Sequence, residues 1–206
     1  MKYTFNIWFA ILIIYCSSAN ALPFEKIDCL KPKYLHNDIV LEDLHYTIVS
    51  KEYGKEEKGE EIRVVPTVAL KWKDRWIVGS DRGEFGGELV DIGPNGKKVK
   101  ILSDNIKGIY NLDVGIVVLA GLSHLVSSSG RMYIVSENDS KLTFRILFEL
   151  DSVPVSSWTT NSGELIVNTS YGSTVLSKNG ELRRINCNGM KYSKQELYSP
   201  LYTYIK

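Results

Sequence analysis

Cysteine and histidine are scarce in this chain, at three each in 206 residues, and neither falls in a metal-binding pattern. No Cys sits in a C-x-x-C or beside a His, and His36 and His45 lack H-x-H or H-E-x-x-H spacing, so a zinc centre has no ligand set. No D-x-D-x-D-G loop offers calcium a cage. Charge of one sign is not in excess either, since 25 Lys and Arg face 24 Asp and Glu. That balance argues against a nucleic-acid binder and against a self-repelling disordered chain. Beyond residue 21 no apolar run approaches the roughly 20 residues that span a bilayer, and no window of about 12 residues keeps a 3.6-residue period. Multi-span membrane proteins, helical bundles and coiled coils are excluded.

What is present is the composition of a folded domain, 44% hydrophobic and 24% charged. Residues 1–21, MKYTFNIWFAILIIYCSSANA, carry one basic residue (Lys2), an apolar stretch from Phe5 to Tyr15 and a small-residue end, Ala19-Asn20-Ala21. This is the layout of a secretory signal peptide cleaved before Leu22. A lipid-modified Cys16 and a retained anchor are the alternatives. The expectation is an exported protein, periplasmic or secreted, with residues 22–206 as one domain and no stable membrane insertion after cleavage.

Export changes the meaning of the cysteines. Loss of Cys16 leaves Cys29 and Cys187, an even pair in an oxidising compartment, which is read as a disulfide. Residues 22–38 read as an extended lead-in, and Ile39-Val40-Leu41 and His45–Ser50 as strand-like. The charged run 51–63 reads as a solvated hairpin tip or mobile loop, with an electrostatic docking loop as the alternative.

From Val64 onward short β-branched strands alternate with turn signals, among them Gly93-Pro94-Asn95-Gly96. Segments 75–102, 114–147 and 163–185 each read as strand, polar loop, strand, tight turn, strand. Val78, Val118 and Val167 mark equivalent positions. Ile106–Asp113 and Val153–Asn161 each supply a further strand. A four-stranded unit recurring at this period predicts an all-β fold of repeated antiparallel strands over 39–187, a minimal or incomplete β-propeller, with a β-sandwich as the alternative. Trp72, Trp76 and Trp158 are expected in the core. The Cys29–Cys187 bridge would clasp the two ends of the repeat series, and 188–206 form a Tyr-rich tail.

The stretch VVLAGLSHLVSSSGRMYIV, continuing through FRILFELDSVPVSSWTTNSGELIVNTSYGSTVLSKNGELRRINC, resembles small exported propeller-like proteins of bacteria. It is more distantly similar to secreted immunity proteins that plug peptidoglycan-cleaving toxins with a loop. The resemblance covers residues 64–187, implies a non-catalytic binding role and transfers no catalytic residue.

No catalytic constellation emerges from the residues. Ser123 and His124 are adjacent and point to opposite faces of an extended chain, and Gly121-Leu-Ser-His-Leu125 lacks the closing glycine of a nucleophile elbow. The glycines of 79–87 lack the helix that a phosphate cradle needs. The expected function is a non-enzymatic module that holds no cofactor and binds a protein partner, through loops 79–87, 120–131 and 168–173 on one face. His124, Ser127, Ser128, Ser129, Arg82 and Tyr171 are the candidate contacts. The 120–131 segment is expected to be an adaptable loop in which changes at the three serines leave stability untouched. An enzyme acting on cell-wall or polysaccharide material and a structural envelope component are the competing expectations.

Overall fold

The computed structural model describes residues 25–27, 40–49 and 61–187, with backbone alone for 25–27, 186 and 187. The expected signal peptide (residues 1–21), Cys29 and the tyrosine-rich residues 188–206 lie outside the described residues. Among those residues the protein is all-β and contains no α-helix.

Three four-stranded antiparallel meanders follow one another along the chain. The first sheet holds β4 (Val68–Trp72), β5 (Arg75–Gly79), β6 (Glu88–Ile92) and β7 (Lys98–Ser103). The second holds β8 (Ile106–Leu112), β9 (Gly115–His124), β10 (Ser127–Asn138) and β11 (Lys141–Leu150). The third holds β12 (Pro154–Thr159), β13 (Leu165–Thr169), β14 (Gly172–Leu176) and β15 (Leu182–Cys187). A hairpin of β2 (Tyr46–Val49) and β3 (Glu61–Val64) precedes them. A short strand, β1 (Glu25–Ile27), adds itself in parallel to β15, with Ile27 opposite Cys187.

The apolar pairs in the strands explain the stacking. Successive side chains leave a strand on opposite faces, so a strand buried on both sides needs consecutive apolar residues. In β5, Ile77 packs toward the second sheet and Val78 toward the β2–β3 hairpin. In β9, Val118 packs toward the first sheet and Val117 toward the third. In β13, Val167 faces the second sheet, whereas Ile166 lies with Trp158, Val175 and Ile185 on the far face. Val78, Val118 and Val167 therefore all point back toward the preceding unit, as the repeat alignment requires. Trp158 is buried, and Trp72 and Trp76 pack partly buried against the first sheet's two faces.

A second repeat is written in the backbone. One extra residue bulges out of the last strand of the first two sheets, Ile101 opposite Leu89/Val90 and Leu147 opposite Met132/Tyr133. Another bulges out of the first strand of the next two, Lys107 in β8 and Val155 in β12. Such bulges sharpen local twist, and here they let the chain leave one sheet and enter the next within two or three residues. Between β6 and β7, Gly96 takes φ 75° and Asn95 Oδ1 accepts the Lys97 N–H at 3.0 Å.

Two expectations need correction. Leu41–Leu44 form a 3-10 turn rather than a strand. Residues 61–63, read as the end of a charged loop, belong to β3. Within the lead-in β1 is an extended, paired strand, and the β2–β3 hairpin precedes the first sheet. Its outer side chains, Thr47, Val49, Glu61 and Arg63, are exposed. The described residues form a series of sheets with an open end at this hairpin.

Candidate functional site

The connections between the second and third strands of all three sheets, together with both inter-sheet linkers, meet at one end of the stack. Glu84 of the first connection touches His124 Nδ1 at the tip of the β9–β10 hairpin. Ser128 Oγ lies 2.7 Å from Ser152 Oγ on the second linker. Beside it, Asp151 accepts a hydrogen bond from Thr169 Oγ1 at 2.9 Å, at the start of the β13–β14 turn.

The 80–87 connection is pinned rather than loose. The Arg82 N–H donates to Gly86 O (3.0 Å) and Asn105 Oδ1 (3.1 Å), and Asn105 Nδ2 returns to Gly83 O (2.8 Å). Asp81 caps the Gly83 N–H at 3.1 Å and pairs with Lys107. Gly83–Phe85 form a single 3-10 turn that projects Phe85, 84% exposed, into solvent.

Beneath this connection lies a buried polar network. Tyr46 O–H donates to Ser80 Oγ at 2.6 Å, with Glu88 Oε2 at 3.1 Å from both hydroxyl oxygens. Arg82 Nη2 closes on Glu88 Oε1 at 2.7 Å. Burial drives the Tyr46 hydroxyl far above its usual range, and the Glu88 charge adds to the effect although the Ser80 bond opposes it. On the other side of the connection, Tyr133 O–H donates to Asp104 Oδ2 at 2.8 Å. Burial first, and then Asp104, raise Tyr133 to about 12.

The 120–131 segment is not a loop. β9 and β10 run on through it as a long hairpin, pairing His124 with Ser127, Ser128 with Ser123 and Gly130 with Gly121, and only Leu125 and Val126 form the turn. The 168–173 loop likewise shrinks to a two-residue turn, Ser170-Tyr171. Gly121 and Gly130 make the extension possible: a Cβ on either would strike the facing backbone, at Ser129 O and Ser152 O.

The candidate residues separate accordingly. His124, Ser127 and Ser129 sit on the projecting hairpin, with Ser127 and Ser129 exposed. Ser128 is a structural tie instead, because its Oγ also accepts the Val153 N–H at 3.1 Å. Arg82 is engaged by Glu88. Tyr171 is 44% exposed on the third sheet's turn, with its N–H bonded to Thr169 Oγ1 at 3.2 Å. Residue typing missed the turn itself. Leu125 is 89% exposed and Val126 fully so, and Phe85 stands on the neighbouring turn that Glu84 and His124 join to them. Two bulky apolar residues between His124 and a run of serines, where a tight turn calls for Asn-Gly, were the available signal. Leu125 also holds φ 51°, a conformation disfavoured for a leucine.

Two clefts flank the 80–87 connection. One, of about 690 Å³, runs between β2 and the first sheet past Arg82, Phe85 and Glu88. The other, of about 370 Å³, is walled by Gly86, Asp104, Asn105, Ser129 and Arg131. The carboxylates that line them are engaged, Glu88 by Arg82 and Asp104 by Tyr133 and Arg131. Among the described residues no group of three or more His, Cys, Asp or Glu is placed to hold a metal ion, and no helix is long and apolar enough to cross a membrane. Comparison with protein-family models, curated proteins and solved structures finds no match to this chain.

Proposed function

We propose that this protein is an exported, non-enzymatic binding module that grips a protein partner with the turn-bearing end of its stack. The observation that carries this is the apolar tip. Phe85, Leu125 and Val126 are the most exposed large apolar side chains among the described residues, and they stand on adjoining turns. Leu125 does so in an unfavourable backbone conformation. Exposed apolar side chains and local strain lower stability, and both are retained where a contact requires them. The engaged carboxylates of the two clefts fit a recognition surface better than a pair of free acid and base groups.

In the same reading the three meanders are consecutive blades of a propeller-like fold, and the β2–β3 hairpin is a partial unit at its open end. The pairing of β1 with β15 lays Glu25–Ile27 beside the last strand of the third sheet, and a Cys29–Cys187 disulfide would covalently secure that seam. Non-reducing peptide mapping of the exported protein, with its first residue at Leu22, is expected to show one bridged peptide and no alkylatable thiol. A hairpin tip that enters a partner's cleft is also how an inhibitor of the immunity type would act.

The test compares the wild-type protein with a Phe85→Ser, Leu125→Ser, Val126→Ser variant in capturing partners from the exported fraction. All three positions are exposed, so melting should stay within a few degrees. Capture of the partner should fall at least about tenfold. If capture survives while changes at Arg82 or Tyr171 abolish it, recognition belongs to another part of this end.

A further inference from the structure

The cleft beside β2 follows the whole length of that strand. All four residues of β2, Tyr46 to Val49, line it, and consecutive residues of both parities line a cleft only when it follows the strand's open edge. Among the described residues β2 has one paired neighbour, β3. The opposite wall is the hairpin-facing side of β6 and β7, where Val90 pairs with Lys100 and Ile92 with Lys98. The two-stranded hairpin packs on Val78 of β5 and on Val90 and Ile92 of β6, and leaves the face of β7 that carries Lys98 and Lys100 exposed.

The wall's chemistry selects an occupant. Lys98 and Lys100 lie two residues apart on one face of β7, both exposed. Among the described residues Lys98 Nζ reaches only a main-chain oxygen, His45 O, at 2.6 Å. Around them stand Ile48, Val49, Ile62 and Phe85. A strand has the same two-residue period, so acidic side chains at alternate positions of an incoming segment would meet the two lysines. We propose that the free edge of β2 accepts an extended segment of a partner protein by strand addition, and that the segment alternates acidic and apolar residues. The backbone edge supplies the affinity, and Lys98 and Lys100 supply the selectivity. This site shares Phe85 with the apolar tip but includes neither Leu125 nor Val126, so changes at those two residues separate the proposals.

A phage-displayed library of random 12-residue peptides panned against the full chain supplies the probe. The enriched peptides should carry Asp or Glu at alternate positions, and their synthetic forms should bind at least about tenfold more weakly to Lys100→Glu. The Leu125→Ser, Val126→Ser variant should bind them unchanged. N-methylation of alternate amides should abolish binding in one phase and spare it in the other, because only one set of N–H groups faces the β2 edge. Peptides without acidic alternation, indifference to Lys100→Glu, or equal loss in both methylation phases would overturn the proposal. So would a self-associated chain in sedimentation that Lys100→Glu dissociates, since the occupant would then be a second copy.

Discussion

Gly87, immediately before β6, and Gly130, the fourth residue of β10, occupy corresponding places in consecutive sheets, each beneath the linker that leaves its sheet. A Cβ at Gly87 would stand 2.6 Å from Asp104 O and 2.2 Å from Ser80 O, and at Gly130 2.2 Å from Ser152 O. Backbone packs on backbone at both points, so neither site can yield as a flexible side chain would. Gly87→Ala and Gly130→Ala should each destabilise by about 1–3 kcal/mol, lowering Tm by several degrees. Gly83→Ala meets open space and only a positive φ, so it should cost less. Thermal denaturation of the three variants side by side checks the order.

Ser128 should behave unlike its neighbours. Ser128→Ala removes the partner of Ser152 Oγ and of the Val153 N–H, and about 1–2 kcal/mol of stability should go with it. Ser127→Ala and Ser129→Ala, both exposed, should stay within about 0.5 kcal/mol. Urea midpoints at unchanged slope are the measurement.

That contrast shows where sequence and structure part. Pairs such as Ile77-Val78 and Val117-Val118 carry their message in composition alone, since only a strand with two buried faces calls for them. The three-sheet series and its spacing were therefore readable. The β9–β10 extension was not, because Gly121, Ser123, Ser127, Ser128, Ser129 and Gly130 have the residue types of a loop. What makes them strand is the linker carrying Ser152 and Pro154 crossing at van der Waals distance, a long-range fact with no local signature. The same holds for the bulges at Lys107 and Val155. The tip at Phe85 and Leu125 escaped because exposure is decided by how turns from different sheets meet.

Leu125 should be replaceable at a gain. Asparagine tolerates the left-handed region that Leu125 adopts at φ 51°, so Leu125→Asn should raise stability by about 0.5–1 kcal/mol. The same change should weaken partner capture. A variant more stable and less able to bind would separate the two demands on this position, whereas a loss of stability would show that leucine contributes packing there.

Alkaline pH should unfold the protein through its buried tyrosines. Tyr133 is held near 12 and Tyr46 is also raised, against about 10 in an unfolded chain. Their protonated forms stabilise the fold below pH 10, and that contribution is lost as pH rises toward 12, where the unfolded chain releases protons more readily. Melting temperatures between pH 9 and 12 should fall steeply for the wild type. The fall should be shallower for Tyr133→Phe, even if that variant starts from a lower value at neutral pH through loss of the bond to Asp104.

The two-faced burial of the second sheet also bears on how the chain is made. Each meander is built from consecutive hairpins, so its strands can pair as they emerge without waiting for distant segments. The second sheet cannot stop there. Val118, Ile116 and Ala120 require the first sheet, and Val117, Leu119 and Met132 require the third. A nascent chain that has released residues up to Leu150 and no further would present one whole apolar face to solvent, flanked by the unpaired edge of β11. That species is the one a chaperone or protease would meet. A premature stop between the second and third sheets should therefore yield an insoluble fragment rather than a smaller working protein.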